Sequence, residues 1–353
     1  MTTGARPWIR VKVLSRESKG YWERQLPGPD AVWGRCRFLF DPEARDYDWL
    51  VVYDDLPPVG AERRSRRVEP LACPRQHTLL VTTEPSSIKT YGNAYTAQFG
   101  CVLTSQEAWA LPHRERIYAQ PALRWFYGIG ADHQLPYARL AGMSPPAKTR
   151  DLSMVWSGKK ERHTWHRRRY DFMCRIRAAL PELDIYGRGA RPLDDKAQAL
   201  DAYRYHIAIE NHVGPHHWTE KLADPFLGFA LPFYYGCPNV ADYFPEQSLI
   251  RIDIEDFDAA LATIRAAIAG NEYEKRLPHI LEARRRVLEE YNFMAVVSRE
   301  IEQRHTRSIE PARAPGAILS RYALRTQHPV LALRQLYEKG RTRFFHALRS
   351  RAQ

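Results

Sequence analysis

Two groups of side chains in the sequence are suited to acid–base and phosphate-binding chemistry. One is a single carboxylate, Glu84, which follows an apolar run in LLVTTEPSS, at the end of a predicted strand. The other is the segment YRYHIAIENHVGPHHWTEKL, where Glu210 and Asn211 end an apolar strand and Glu220-Lys221 open a helix. A helix N-terminus and a lysine both favour anionic phosphate, so this segment predicts a site for a nucleotide diphosphate.

Short apolar runs that alternate with helical stretches must position these residues. Such alternation predicts parallel sheets covered by helices on both faces, which is an α/β fold. Ligands of such sheets bind beyond the carboxyl ends of the strands, where Glu84 and Glu210 are placed. The predicted strands are Trp8–Leu14, Trp49–Tyr53, Thr78–Thr82, Phe99–Thr104, Leu152–Trp156, Asp184–Tyr186, His206–Ile209, Leu231–Tyr234 and Leu249–Ile254, and the predicted helices are Arg169–Leu180, Glu220–Phe229 and Ala259–Ile268.

The chain has 353 residues, which is more than one hydrophobic core usually serves, so two domains are expected. The segment MSPPAKTR, at residues 143–150, breaks regular structure with two prolines and charges. We therefore place the boundary there and predict domains at residues 1–147 and 148–308, followed by a tail at 309–353.

The net charge of +12 is concentrated in this tail. From Pro311 to Gln353 there are nine Lys or Arg residues and one acid, Glu338, which together account for eight of the twelve charges. The remaining body is only mildly basic. Nucleic-acid binding would require aromatic residues among the basic ones, and only Trp165 and Tyr170 lie near the basic run Lys159–Arg169. We therefore expect no nucleic-acid partner.

The five cysteines are scattered singly, without the spacing of a zinc site or a disulfide scaffold, which predicts a reducing compartment. No run approaches the ~20 apolar residues that span a bilayer. We expect a cytoplasmic protein that contacts membranes only at their surface, on the inner face of the bacterial membrane.

Metal-dependent chemistry has two weak candidates. Asp54-Asp55 follows a buried strand but lacks the intervening residue of an Asp-x-Asp motif, so we interpret it as a strand end and turn. His212, His216 and His217 share one loop without a carboxylate at ligand spacing. We predict no metal site and no required cofactor, with divalent ions stimulatory at most.

The pattern in residues 203–253 resembles glycosyltransferase family 10, the α-1,3/4-fucosyltransferases. That family carries Phe-Glu-Asn and then Tyr-x-Thr-Glu-Lys at the spacing from Asn211 to Lys221, followed by a proline-bearing strand. Its Asn/Asp-Tyr-x-Pro segment is similar to PNVADYFP at residues 238–245. One departure is that His217 stands where the family has an aromatic residue, with Trp218 one place later.

The resemblance implies a role for each matched residue of the donor site. Glu220 resembles the acid that binds the ribose, Lys221 the lysine on the phosphates, and Asn211 the asparagine that lines the pocket beside Glu210. His217 takes the place of the aromatic residue near the base. An isolated Thr-Glu-Lys sequence at a helix start is ordinarily a structural feature, so these assignments rest on the whole pattern.

The segment SMVWSGKKERHTWHRRRYDFM is similar to the family's strand that precedes a diphosphate-binding arginine. The helix pattern places that arginine at Arg169, with Arg168 and Arg167 as neighbouring alternatives. Gly158 stands where the family has Asn. Without the resemblance, the six Lys or Arg residues in Lys159–Arg169 equally suit a solvated basic helix start.

Glu84 looks like the family's strand-end Glu-Ser-Pro element, whose carboxylate is the proposed general base. Here the order is Glu84-Pro85-Ser86, and a structural loop or cap residue is the alternative. The resemblance further implies a GT-B architecture, with an N-terminal acceptor-side domain and a C-terminal donor domain, both Rossmann-like and facing each other across a cleft.

The function that this resemblance implies is inverting transfer of fucose from GDP-fucose to a hydroxyl of a glycan acceptor. The acceptor is expected to be a lipopolysaccharide chain, a capsular unit or another surface glycan. Two alternatives remain open: a GT-B enzyme that uses another nucleotide sugar, and a non-catalytic protein that binds nucleotides or polyanions.

The tail contains apolar residues at three- and four-residue steps, which predicts one face of an amphipathic helix. A basic amphipathic helix can lie on an anionic membrane surface, and the alternative is that its apolar face docks on the protein as ordinary core. The apolar positions are Leu333, Leu336, Tyr337, Gly340, Phe344 and Leu348, and the surrounding basic ones are Arg334, Lys339, Arg341, Arg343 and Arg349.

Overall fold

The computed structural model describes residues 8–122, 124–156, 166–187, 189–305 and 316–352. The chain divides into two compact units, the first formed by residues 1–122 and 294–353 and the second by residues 123–293. Gly158, Trp165 and most of the predicted basic run before Arg169 lie outside the described residues.

The first unit is built on a seven-stranded sheet. Its N-terminal elements are β1 (Ile9–Leu14), α1 (Lys19–Glu23), β2 (Val32–Trp33), β3 (Cys36–Leu39), β4 (Trp49–Tyr53), β5 (Val68–Pro70), β6 (Thr78–Val81), α2 (Asn93–Thr96), β7 (Cys101–Thr104) and β8 (Arg116–Tyr118). The strand order is β2-β3-β1-β4-β6-β7-β8, and every neighbouring pair is parallel except β2 and β3. Strands β4 and β6 are buried along their whole length, as expected for continuous apolar runs inside a parallel sheet.

The second unit is built on a five-stranded sheet that is parallel throughout. Its elements are α3 (Tyr137–Ala141), β9 (Arg150–Trp156), α4 (His166–Ala179), β10 (Asp184–Gly187), β11 (Tyr203–Ile209), α5 (Glu220–Leu227), β12 (Leu231–Tyr235), β13 (Ile250–Arg251), α6 (Phe257–Ala269) and α7 (Glu272–Glu289). The strand order is β10-β9-β11-β12-β13. The order reverses between β9 and β11, which makes this position the topological switch point, where doubly wound sheets bind ligands.

The parallel strands of the first unit reverse in the same way between β1 and β4. Two parallel sheets of this order confirm the expected α/β class with two Rossmann-like units. Each predicted strand and helix coincides with an observed element to within a few residues at either end.

The structure divides the chain at different residues from the predicted 147 and 308. Residues 124–147 belong to the second unit because the backbone N–H groups of Phe126 and Tyr127 donate to Asp224 Oδ1 at 2.7 and 2.9 Å. The chain then returns to the first unit through α8 (Phe293–Arg304), β14 (Ala317–Leu319), α9 (Arg321–Gln327) and α10 (Pro329–Ala352). Strand β14 pairs antiparallel with β5, so the tail is part of the first unit.

Helix α10 docks on the first unit through a polar face. The Asn93 N–H donates to Glu338 Oε2 at 3.0 Å, and Gln335 Nε2 donates to the Tyr91 carbonyl at 3.1 Å. His346 Nε2 and Ser86 Oγ are hydrogen bonded at 2.8 Å. The docked face therefore consists mainly of hydrogen-bonding side chains.

The predicted apolar positions lie on the opposite side of α10. Leu333 is 68% exposed and Tyr337 71%, whereas Glu338 is 6% exposed. The alternative that this apolar face packs as ordinary core is therefore wrong, because the helix uses its other face to dock. We call the exposed set the tail stripe, and it consists of Leu333, Leu336, Tyr337, Phe344 and Leu348.

Candidate functional site

A cavity of about 160 Å³ lies at the switch point of the second unit. The ends of β9 and β11 and the first turn of α5 contribute to its wall, as expected for a ligand site in a doubly wound sheet. Its polar and charged lining residues are Arg169, Lys196, His206, Glu220, Lys221 and Asp224, and its apolar ones are Met154, Val155, Met173, Leu200, Ile207, Ala208, Ile209 and Pro225.

The first turn of α5 is fixed by Thr219 and Glu210. Thr219 is the N-cap of α5, and its hydroxyl accepts the Lys221 backbone N–H at 3.3 Å. Glu210, buried at the end of β11, accepts the Thr219 N–H at 2.7 Å and the Thr219 hydroxyl at 2.8 Å. Both carboxylate oxygens thus hold the cap, so Glu210 sets the position of Glu220 and Lys221.

Glu220 and Lys221 form a close ion pair beside the cavity. Lys221 Nζ donates to Glu220 Oε1 at 2.8 Å and lies 3.8 Å from Glu210 Oε2. Burial tends to raise the pKa of Glu220, but Lys221 and Lys196 reverse the effect and hold it well below its usual range. Burial tends to lower the pKa of Lys221, yet Glu220 and Glu210 raise it, so both side chains are charged at neutral pH.

Arg169 reaches the same cavity from the first half of α4. It is buried, and its Nη1 donates to Asn211 Oδ1, so the predicted arginine and asparagine are neighbours. Burial lowers the pKa of Arg169 from its ordinary value. The ordinary pKa of arginine lies so far above neutral pH that the side chain remains charged. The neighbouring Arg168 is exposed and pairs with Glu255, and the side chain of Arg167 lies outside the described part of the chain.

Lys196 is a third cation of the cavity, which the sequence analysis did not identify. Its Nζ lies 2.5 Å from Asp224 Oδ2, inside α5, and its side chain remains partly exposed. Asp195, the preceding residue, caps the short 3-10 helix Lys196–Ala199 and also accepts the Gly128 N–H at 2.9 Å. No local motif marks this lysine, because strand order alone brings it beside Lys221.

His206 forms part of the cavity floor as a neutral ring. Ser153 Oγ donates to the Ala199 carbonyl, so it accepts a hydrogen bond from His206 Nδ1–H at 2.8 Å. Burial, followed by the charge of Lys196, lowers the pKa of His206 to about 3. A neutral imidazole of this kind leaves Arg169, Lys196 and Lys221 as the positive groups of the lining.

His217 and Trp218 occupy buried positions next to the cap of α5. His217 packs edge-on against His212 at 5.2 Å between ring centroids, and burial lowers its pKa well below the ordinary value. Trp218 packs in the core against Phe244, at 4.9 Å, and Tyr291. The structure therefore makes Trp218 a core residue and places His217 at the loop before α5.

Glu84 lies in the first unit, three residues after the end of β6. Its side chain is exposed, and its carbonyl accepts Gln106 Nε2 at 2.7 Å. The carboxyl edge of β6 therefore carries the predicted base, in the place where the sequence pattern put it.

No helix within the described parts of the chain is long and apolar enough to cross a membrane. The same residues contain no group of three or more His, Cys, Asp or Glu side chains arranged to hold a metal ion.

Comparison with known proteins adds independent findings. Residues 145–274 match the sequence profile of a family described as glycosyltransferase family 10 (fucosyltransferase), C-terminal domain. An α-(1,3)-fucosyltransferase of Helicobacter pylori is 32% identical over 72 residues, which is 20% of this chain and 15% of that protein's length.

Two solved structures align with most of this chain at low sequence identity. An α1,3-fucosyltransferase crystallised with GDP-fucose is 15% identical to this chain. The alignment covers 89% of this chain and 95% of the fucosyltransferase chain, with a TM-score of 0.47. A sucrose-phosphate synthase from Thermosynechococcus elongatus is 10% identical, with coverages of 83% and 98% and a TM-score of 0.43.

Anionic ligands such as nucleotides commonly bind at the switch point of a doubly wound parallel sheet, and the three cations of this cavity suit such a ligand. Within the unit that carries the cavity, residues 145–274 are similar to the C-terminal domain of glycosyltransferase family 10.

Proposed function

We propose that this protein transfers fucose from GDP-fucose to a hydroxyl of a glycan acceptor, with inversion at the anomeric carbon and without a required metal ion. The observation that carries the proposal is the convergence of Arg169, Lys196 and Lys221 on one cavity, within the residues that match the family 10 profile. The family model and the α-(1,3)-fucosyltransferase that are similar to parts of this chain support fucose as the sugar.

In the proposed reaction, the Glu84 carboxylate accepts the proton of the acceptor hydroxyl as its oxygen attacks the anomeric carbon. The bond between that carbon and the diphosphate oxygen breaks, and GDP leaves with the electron pair. Arg169 and Lys221 stabilise the negative charge on the leaving diphosphate. Glu220 is proposed to accept hydrogen bonds from the ribose hydroxyls, since its pKa keeps it ionised.

For the acceptor we propose a surface glycan, such as a lipopolysaccharide chain or a capsular unit. A different nucleotide sugar as donor, or nucleotide binding without transfer, remain the two competing functions. Transfer activity separates these functions from the proposed one. A non-catalytic protein would bind GDP but would not cleave any GDP-sugar, and an enzyme with another donor would prefer that donor to GDP-fucose.

Replacement of Glu84 by Gln tests the proposed base. Glutamine keeps the size and hydrogen bonding of the side chain but cannot take up the proton, so turnover should fall about 100-fold or more. GDP affinity, measured by calorimetry, should stay within about twofold because the proposed donor residues are unchanged. Near-normal turnover of Glu84→Gln would return Glu84 to a structural role.

We also propose that α10 binds the surface of an anionic membrane, at the inner face of the bacterial membrane. The supporting observation is the tail stripe, which is exposed although α10 is docked. The exposed Lys339 and Arg343 lie along one side of this stripe, whereas Arg341 on the other side donates to the Trp109 carbonyl at 3.0 Å. Each lysine or arginine near an anionic surface contributes roughly 1 kcal/mol, and the stripe would enter the headgroup region. Vesicle binding before and after loss of the stripe tests the proposal.

A further inference from the structure

Asp54 has an unusual backbone conformation at the switch point of the first unit. It directly follows β4, next to the reversal of strand order between β1 and β4, and its φ is +72°. Residues other than glycine rarely adopt this left-handed region, and they do so where the surroundings impose it. The Asp54 N–H donates to the Val81 carbonyl at 2.8 Å, at the end of the neighbouring strand β6.

The Asp54 carboxylate binds three side chains. Lys89 Nζ lies 2.6 Å from each of its oxygens, and the Tyr91 hydroxyl donates to Oδ1 at 2.6 Å. The Thr83 hydroxyl also donates to Oδ1, at 2.9 Å. Burial tends to raise the pKa of Asp54, but Lys89 and these hydrogen bonds lower it, so the carboxylate is ionised.

These three partners all belong to the segment 83–91, which contains Glu84. The Thr83 N–H donates to the Tyr91 hydroxyl at 2.8 Å, which ties the beginning of the segment to its end. Gln106 Nε2 bridges the segment as well, because it donates to the carbonyls of Glu84 at 2.7 Å and Lys89 at 2.9 Å. Asp54 and Gln106 thus hold both ends of this loop, and its middle is anchored separately by the hydrogen bonds of Ser86 to Glu107 and His346.

We infer that Asp54 is a positioning residue, which holds the loop 83–91 and thereby fixes the direction of Glu84 toward its substrate. The inference rests on the proposed function, in which Glu84 is the base. Asp54 would act only through Glu84, since its own oxygens are bound to Lys89, Tyr91 and Thr83.

Two substitutions separate the carboxylate from the backbone strain. Glycine adopts a positive φ without steric strain, so Asp54→Gly should fold while lacking the carboxylate. Asp54→Asn keeps the size of the side chain but loses the charge that pairs with Lys89. Both should lower kcat at least tenfold and leave the affinity for GDP within about twofold. Asn271→Gly is the matched control: Asn271 also has a positive φ, of +52°, and its side chain makes no cap hydrogen bond, so kcat should not change.

A double-mutant cycle with Glu84→Gln decides whether Asp54 acts through Glu84. If it does, Asp54→Gly should cost little further turnover in the Glu84→Gln background. The inference is overturned if the kcat losses of the two single variants multiply in the double variant, or if Asp54→Gly has a normal kcat. In either case a low turnover of Glu84→Gln would still support the proposed function. Normal turnover of Glu84→Gln alone would instead remove the base assignment, and the positioning role with it.

Discussion

Lys196 and Lys221 reach one cavity from different elements and differ in their charged partners. Lys221 pairs with Glu220 at the beginning of α5, whereas Lys196 pairs with Asp224 one turn further along the same helix. In both cases the partner holds the ammonium group in place beside the cavity before any ligand binds. Such preorganisation favours tight binding of a diphosphate, since little side-chain entropy remains to be lost.

Removal of either cation should weaken GDP binding far more than guanosine binding. Hydrogen bonds to charged groups contribute about 1.5–3 kcal/mol, which corresponds to roughly 10- to 150-fold in affinity. We expect a loss in this range for GDP with Lys221→Ala and with Lys196→Met. Guanosine lacks the diphosphate, so its affinity should change by less than about twofold, as measured by calorimetry.

Controls separate charge from structural damage at Lys196. Lys196→Met leaves the buried Asp224 without its cation, so the double variant Lys196→Met/Asp224→Asn removes that unpaired charge. Asparagine can still accept the N–H groups of Phe126 and Tyr127 through its oxygen. Equal losses for GDP and guanosine in the double variant would show that Lys196 only stabilises the fold.

The strand, the cap and the helix start that place Glu220 and Lys221 beside the cavity were predictable from the sequence, because they are local features. Lys196 lies 25 positions before Lys221, and only the strand order β10-β9-β11 brings the two together. The roles of Glu210 and Trp218 were likewise hidden, since capping of Thr219 and packing of an aromatic cluster depend on tertiary contacts.

At the scale of elements, α10 inverts the usual arrangement of an amphipathic helix. Among its described side chains, the two buried ones, Glu338 and Thr342, are polar, and most of the large apolar ones are exposed. Such a face is a marker of an interaction surface rather than of core. The sequence predicted the helix and its apolar face, but the docking contacts of Gln335, Glu338 and His346 depend on the first unit.

Substitution of the tail stripe should abolish vesicle binding without unfolding the protein. We expect Leu336→Gln/Tyr337→Gln/Phe344→Gln to lower the fraction that sediments with vesicles of phosphatidylglycerol and phosphatidylcholine at least tenfold. The reason is loss of apolar area that would enter the headgroup region. Binding of the unsubstituted chain should also weaken at high salt and on vesicles of phosphatidylcholine alone.

Val59→Gln/Leu281→Gln is the matched control, because both side chains are exposed and lie outside α10. Equal sedimentation of the stripe variant and the unsubstituted chain would reject the membrane proposal. A different outcome is that the unsubstituted chain does not bind vesicles but self-associates, and that the stripe variant does not self-associate. The tail stripe would then be a contact surface for a second copy of the chain.

Strands and helices with a continuous or periodic apolar pattern were predictable, as β4 and α5 show. The pair β5 and β14 was not, because three-residue strands carry no clear period and join positions more than 240 residues apart. Only the structure shows this pairing, in which Ile318 of β14 lies opposite Glu69 of β5.

At the scale of the whole molecule, the chain forms its first unit from both ends of the sequence. A proline-rich break suggested a boundary near residue 147, yet residues 124–147 are tied to the second unit by Asp224 and Asp195. Local composition does not reveal that the chain returns to the first unit after residue 293, since the contacts that define each unit join residues far apart in the sequence. The alternation of strands and helices correctly predicted parallel sheets, whereas their strand order is known only from the structure.

The most direct test of the account is turnover of a panel of nucleotide sugars by the full chain, with and without glycan acceptors. The account predicts that GDP is released from GDP-fucose only when an acceptor is present, and that the product carries fucose with inverted anomeric configuration. GDP-mannose and UDP-sugars should react at least tenfold more slowly. Binding of GDP without turnover of any GDP-sugar, or preferred turnover of a UDP-sugar, would contradict it.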